Sequence, residues 1–213
     1  MMPSFYFLSK LELVKVLKNP RFILTQTLFI SLAFLLYGLS KNTFNSKSFD
    51  PYILLIMFVV AHFHARDFVN RFVDTGRLRD IFVSPTALEL ALPFSIICEI
   101  FFVLFGFYIN FFILYLLSDS DSTIILHFFT STTLALLGMI SLSYIVAALI
   151  KLSDASAYLG LIIVAPLQIP IFIFFLAGSD ATILTSLFFL GGVTFFFFSL
   201  CLLILPKILQ RCL

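Results

Sequence analysis

Apolar residues fall along this chain in long runs, separated by short polar stretches, and the alternation that marks a half-buried strand is nowhere sustained. A bilayer-crossing helix needs about 20 predominantly apolar residues, with roughly 17 to 25 tolerated. Six stretches reach that length: 22–39, 49–65, 90–117, 124–150, 157–177 and 183–205, of which 90–117 and 124–150 are too long for an untilted span and too continuous to contain a loop. The pattern predicts an all-α, polytopic membrane protein, a single transmembrane domain over 1–213 with six spans. The second span is the shortest and ends on His62, Phe63 and His64.

Two further segments read as helices outside the membrane. In 4–19, Phe5, Leu8, Leu11, Leu13, Val16 and Leu17 are mixed with Lys10, Lys15 and Lys18, which predicts a helix lying in the interface, ended by Pro20. In 66–85, Phe68, Val69, Phe72 and Val73 recur at helical spacing. Thr75-Gly76 interrupts them, and Leu78, Ile81 and Phe82 precede Pro85. The pattern predicts two short amphipathic helices joined at Gly76, a cytoplasmic insert between spans two and three.

Composition agrees with lipid as the outer solvent. Charged residues make up 11% of the chain and hydrophobic residues 62%, with a mean hydropathy of +1.15. A soluble domain carries about 25% charged residues. The net charge of +2 and the scatter of the basic residues give no footprint for nucleic acid. Basic residues mark the cytoplasmic flanks of spans. With the N-terminus inside, Lys10, Lys15, Lys18, Arg21, Arg66, Arg71, Arg77, Arg79, Lys151, Lys207 and Arg211 fall inside, and Lys41 and Lys47 outside. The expected topology is therefore multi-pass with both termini on the cytoplasmic or matrix side, in a bacterial plasma membrane or mitochondrial inner membrane. No cleavable targeting segment is expected, because the first 21 residues lack a compact apolar core.

Chemistry-bearing motifs are few. Phosphate loop, H-E-x-x-H, G-x-S-x-G and C-x-x-C-H patterns are all missing, and Cys98, Cys201 and Cys212 have no metal-ligand or redox spacing. The expectation is a protein that is not an enzyme and carries no catalytic or metal residues and no directly bound cofactor. Energy for any work would come from a partner or a gradient.

Glu99 stands about ten residues into the third span, where a charge costs roughly 2.5 to 3.5 kcal/mol on insertion scales. The 19 Leu, Ile, Phe and Val of 90–117 contribute roughly −6 to −11 kcal/mol and outweigh it. At 100° per residue Ser95, Glu99, Gly106 and Asn110 share one stripe, expected to face other helices. Glu99 reads either as a substrate or relay position or as a protonated carboxyl gluing helices together. Pro166 and Pro170, flanking Gln168, predict a kink in the fifth span. Ser131, Ala135 and Gly138 form a small-residue stripe suited to close packing. His62, His64 and His127 point different ways and read as interfacial or packing residues.

These features resemble the haem exporter protein B family of cytochrome c maturation, the membrane subunit of a type II ATP-binding-cassette (ABC) exporter. The resemblance rests on six spans, the amphipathic insert with Gly76, Leu78 and Pro85, and the run from Ala165 to Phe174 with Pro166, Leu167, Ile169 and Pro170. Where the family has an acidic residue before the glycine this chain has Thr75, and after the leucine it has Arg79. Ser95, Glu99 and Ile100 replace the Lys and His-Trp the family often carries early in span three. The resemblance implies a membrane permease subunit acting in haem delivery, with a separate ABC ATPase subunit using ATP and haem as candidate substrate. It also implies other cytochrome c maturation membrane subunits, a haem chaperone, and a homodimeric or heteromeric complex in lipid. A non-transporting scaffold that docks the ATPase to a haem chaperone, or a generic ABC-2 type permease for another substrate, fits the same residues. Arg66, Asp67, Arg71, Asp74, Gly76 and Leu78 are the expected partner-binding residues. Ser95, Glu99, Asn110, Pro166, Gln168 and Pro170 are the expected substrate path.

Overall fold

The computed structural model describes residues 51–74, 88–117, 122–153, 156–177 and 183–212. They form six helices: α1 (Pro51–Asp74), α2 (Leu88–Leu117), α3 (Ser122–Leu152), α4 (Ala157–Leu167), α5 (Ile169–Ala177) and α6 (Ile183–Gln210). No strand occurs among the described residues. By length and apolarity α1, α2, α3 and α6 can each cross a bilayer, and the bent pair α4–α5 makes a fifth crossing if the two helices are one broken span. The chain is thus an all-helical protein with the build of a multi-pass membrane protein. The expected first span and interfacial helix lie outside the described residues.

Helix α3 is the axis of the bundle and packs against all the others. From Gly138 to Ala148 every one of its residues is buried, which only a helix surrounded on all sides can achieve. Several of its hydroxyls are accommodated within the helix: Thr130, Thr133 and Ser141 each donate to a carbonyl one turn back. This back-bonding lets Ser and Thr sit in an apolar bundle without stranding a donor. Small residues bring the neighbours close. A β-carbon on Gly138 would stand 3.0 Å from Ile171 Cδ1 and 3.1 Å from Thr194 Oγ1, so hydrogen at this position sets the distance of α5 and α6 from α3. Thr194 donates to the Leu134 carbonyl at 2.9 Å and fastens α6 at the same level.

Cross-helix pairs fix the directions. Phe68 and His64 meet Tyr144 while Asp74 meets Lys151, so α1 and α3 run parallel. Tyr108 meets Phe129 and Thr133 while Glu99 lies near Tyr144, and Phe175 meets Phe128 while Gln168 meets Met139 and Ser143, so α2 and α5 run antiparallel to α3. Thr194 at Leu134 and Cys201 near Tyr144 set α6 parallel to α3, and Gly160 lies against Ile150, so the ends of α1, α3 and α6 and the starts of α2 and α4 share one side of the bundle. That side carries Arg66, Arg71, Lys151, Lys207 and Arg211.

One expected boundary differs, and one expected kink is present. The drop in hydropathy at Arg66 predicts the end of a span at residue 65 and a separate insert from 66, but α1 continues without a break for nine residues more, to Asp74. The reason is packing: Phe68, Val69 and Phe72 extend the apolar face of the preceding turns and are buried to 1% or less in the core. They rest on the bundle and not on the membrane surface. In the fifth span the prolines accompany a bend of 46° between α4 and α5, centred on Gln168. Pro170 has no N–H to give the turn before it, and the helix restarts at that point.

Candidate functional site

The stripe on α2 faces inward. Ser95, Glu99 and Asn110 are buried, with Gly106 between them, while Ile97, Phe101, Phe105, Ile109 and Phe112 are exposed on the opposite side. Asn110 turns its amide back onto the Gly106 carbonyl at 2.8 Å, satisfying a donor that lipid could not.

Glu99 meets a cation from another helix. Arg71 Nη2 stands 3.6 Å from Glu99 Oε2, and Arg71 Nε stands 2.8 Å from Asp67 Oδ2 one turn back on α1. The Glu99 side chain is 2% exposed, that of Arg71 23% and that of Asp67 46%. The guanidinium thus spans from the rim of the bundle to its interior, which suits a planar group with donors on both edges. The contact joins α1 to the buried face of α2, as either reading of Glu99, a substrate or relay position or helix-packing glue, would have it.

A second polar pair lies alongside. His64 Nε2 and the Tyr144 hydroxyl are 2.8 Å apart, and both side chains are buried. Tyr144 is close enough to Glu99, Arg71 and Cys201 to interact with them electrostatically, and His64 with Arg71. One polar centre therefore joins α1, α2 and α3 inside the bundle, with Cys201 of α6 beside it. At its open end Lys151 Nζ pairs with Asp74 Oδ1 at 2.8 Å, tying the ends of α1 and α3.

The expected partner-binding and substrate-path residues are accordingly not two separate sets. Arg71 of the first touches Glu99 of the second. Asp67, Arg71 and Asp74 are engaged within the bundle, Arg66 is exposed, and Gly76 and Leu78 lie outside the described residues. Gln168 is buried and donates to the Met139 carbonyl and to Ser143 Oγ, each at 3.2 Å. Pro166 and Pro170 are exposed on the outer surface, so they shape the bend while Gln168 alone of the three enters the interior. Tyr144 and Lys151 were not among the expected site residues. A tyrosine hydroxyl amid an apolar span is the signal that could have found the first.

Among the described residues no three of His, Cys, Asp and Glu gather as metal ligands would. No protein-family model matches the chain. No curated protein sequence matches it either.

Proposed function

We propose that the chain is the membrane permease subunit of an ABC-type transporter complex acting in haem delivery for cytochrome c maturation, driven by a separate ATPase subunit. The observation that carries the mechanical part is the Arg71–Glu99 contact. A permease without a nucleotide site of its own takes force through a surface outside the membrane and passes it inward. Here α1 runs unbroken from the apolar interior into the charged end that leads to 75–85, and Arg71 near that end holds the buried face of α2. A displacement of the 75–85 segment would pull on α1 and, through one ion pair, on the stripe of Ser95, Glu99 and Asn110. Such a pair transmits motion because its two partners cannot separate cheaply inside a low-dielectric bundle.

The haem part rests on the resemblance of 66–85 and 165–174 to the haem exporter B family. Gln168, tied to α3 by two hydrogen bonds, fastens the α4–α5 bend to the bundle axis. The ATPase arm is tested by co-purification. Tagged full-length protein should retain an ABC ATPase subunit, and Gly76→Val should lose it while membrane insertion is unchanged. Cytochrome c maturation in a strain lacking the chain tests the haem arm. Normal maturation there would leave the generic permease reading in its place.

A further inference from the structure

Lys207 and Arg211, near the end of α6, are exposed, and neither has an acidic partner among the described residues. By contrast Arg71 has Asp67 and Glu99, and Lys151 has Asp74. The two cations of α6 are held in place by the helix that carries them. Leu205, Ile208 and Leu209 are buried in the core, and the Arg211 N–H donates to the Ile208 carbonyl at 3.0 Å.

Further back on the same helix is a notch. Gly192 is exposed, and a β-carbon on it would meet nothing within 4 Å. One turn to either side stand Phe188, Phe189, Phe195 and Phe196, each more than half exposed, so the missing side chain leaves a gap between two pairs of rings. Gly138 and Gly160 are used differently: a β-carbon there would press on Ile171 and on Ile150, side chains of neighbouring helices. At 100° per residue Phe196, Leu203 and Lys207 lie within about 60° of Gly192, which puts notch, apolar flank and cation on one stripe. Leu203 is 69% exposed. From Gly192 to Leu203 the helix rises about 17 Å, close to half of a hydrocarbon core about 30 Å thick.

We propose that this stripe binds one anionic phospholipid, its phosphate held by Lys207 and Arg211 and an acyl chain lying over Leu203 and Phe196 into the notch at Gly192. A guanidinium matches phosphate oxygens with paired donors, an ammonium adds a point charge, and anionic headgroups are drawn to basic flanks of this kind. The helix dipole alone favours cations at a helix end, but it does not account for a notch one leaflet away on the same stripe. A free phosphate would meet the same donors and leave that stripe uncovered. The inference does not depend on the transport reading.

Native mass spectrometry of the full-length protein, released from nanodiscs of equal parts phosphatidylcholine and dioleoyl phosphatidylglycerol, tests it. The wild type should retain phosphatidylglycerol selectively, and excess inorganic phosphate should not displace it. Lys207→Gln and Arg211→Gln should each reduce retention roughly tenfold, the size of one lost charge-assisted hydrogen bond. Lys207→Arg should keep it. Gly192→Leu should weaken retention of the dioleoyl lipid, while binding of added dioctanoyl phosphatidylglycerol, too short to reach the notch, stays as in the wild type. Arg66→Gln, an exposed cation of α1 on the same side, should change nothing. Wild-type retention in both Lys207→Gln and Arg211→Gln overturns the site, and so does an equal loss in Arg66→Gln, which would mean a general charge effect. Displacement by inorganic phosphate overturns the lipid as occupant. Unchanged dioleoyl retention in Gly192→Leu overturns the notch, and loss of a wild-type dimer in that variant would give the face to a second copy of the chain instead.

Discussion

Arg71 of α1 reaches past Asp67, its neighbour one turn back, to stand 3.6 Å from Glu99 of α2, an ion pair between a helix rim and a bundle interior. Removing one member of a buried pair leaves the other uncompensated, which typically costs about 3 to 5 kcal/mol. Glu99→Gln and Arg71→Met should each lower the melting temperature of the detergent-solubilised protein. Combining Arg71→Met with Glu99→Leu should restore much of the loss. Additive losses in the double variant would show that the two side chains are not coupled.

Tyr144→Phe removes the hydroxyl that meets His64 Nε2 at 2.8 Å and leaves a buried ring nitrogen behind. The expected loss is about 1 to 3 kcal/mol. Adding His64→Phe to Tyr144→Phe should cost less than the sum of the two single changes, as read in the same melts. Simple additivity would place the pair outside hydrogen-bonding contact.

Glycines on two helices should respond in opposite directions. At Gly138 a methyl group would press on Ile171 and Thr194, whereas at Gly191 and Gly192 it would meet nothing within 4 Å. Gly138→Ala should therefore destabilise, and Gly138→Val more so. Gly191→Ala and Gly192→Ala should be neutral or stabilise by up to about 1 kcal/mol through helix propensity. Stabilisation by Gly138→Ala would contradict the close approach of α5 and α6 to α3.

The division of basic residues predicts sidedness. Reporters fused after Leu213 and at Thr75 should report the cytoplasm or matrix, and one at Ser120 the opposite side. Ser120 reached from the cytoplasmic side would end the six-span topology.

The helices themselves were legible because a bilayer selects for one gross property, apolar length, which each of 90–117, 124–150, 157–177 and 183–205 carries openly. The inward stripe on α2 was legible too, since Ser95, Glu99, Gly106 and Asn110 repeat at helical spacing. The partner of Glu99 was not, because Arg71 belongs to another helix and no local spacing joins the two. For the same reason the hydropathy drop at Arg66 suggested a boundary that the backbone ignores. What keeps α1 helical there is the burial of Phe68, Val69 and Phe72 against the core, a tertiary effect. The prolines announced a bend but not its outcome, in which both rings face outward and Gln168 turns in.

In the proposed function, force would enter through the charged end of α1 and reach Glu99 through Arg71. The most direct measurement is crosslinking from cysteines placed at Asn70 and Thr75 in the assembled complex, run alongside the ATPase rate of the partner subunit in wild type and in Glu99→Gln. Crosslinks from both positions to the ATPase subunit, with a Glu99→Gln complex that stays assembled but loses the dependence of ATP hydrolysis on the membrane subunit, are the predicted result. Absence of crosslinks, or a Glu99→Gln complex whose ATPase rate matches the wild type, would contradict it.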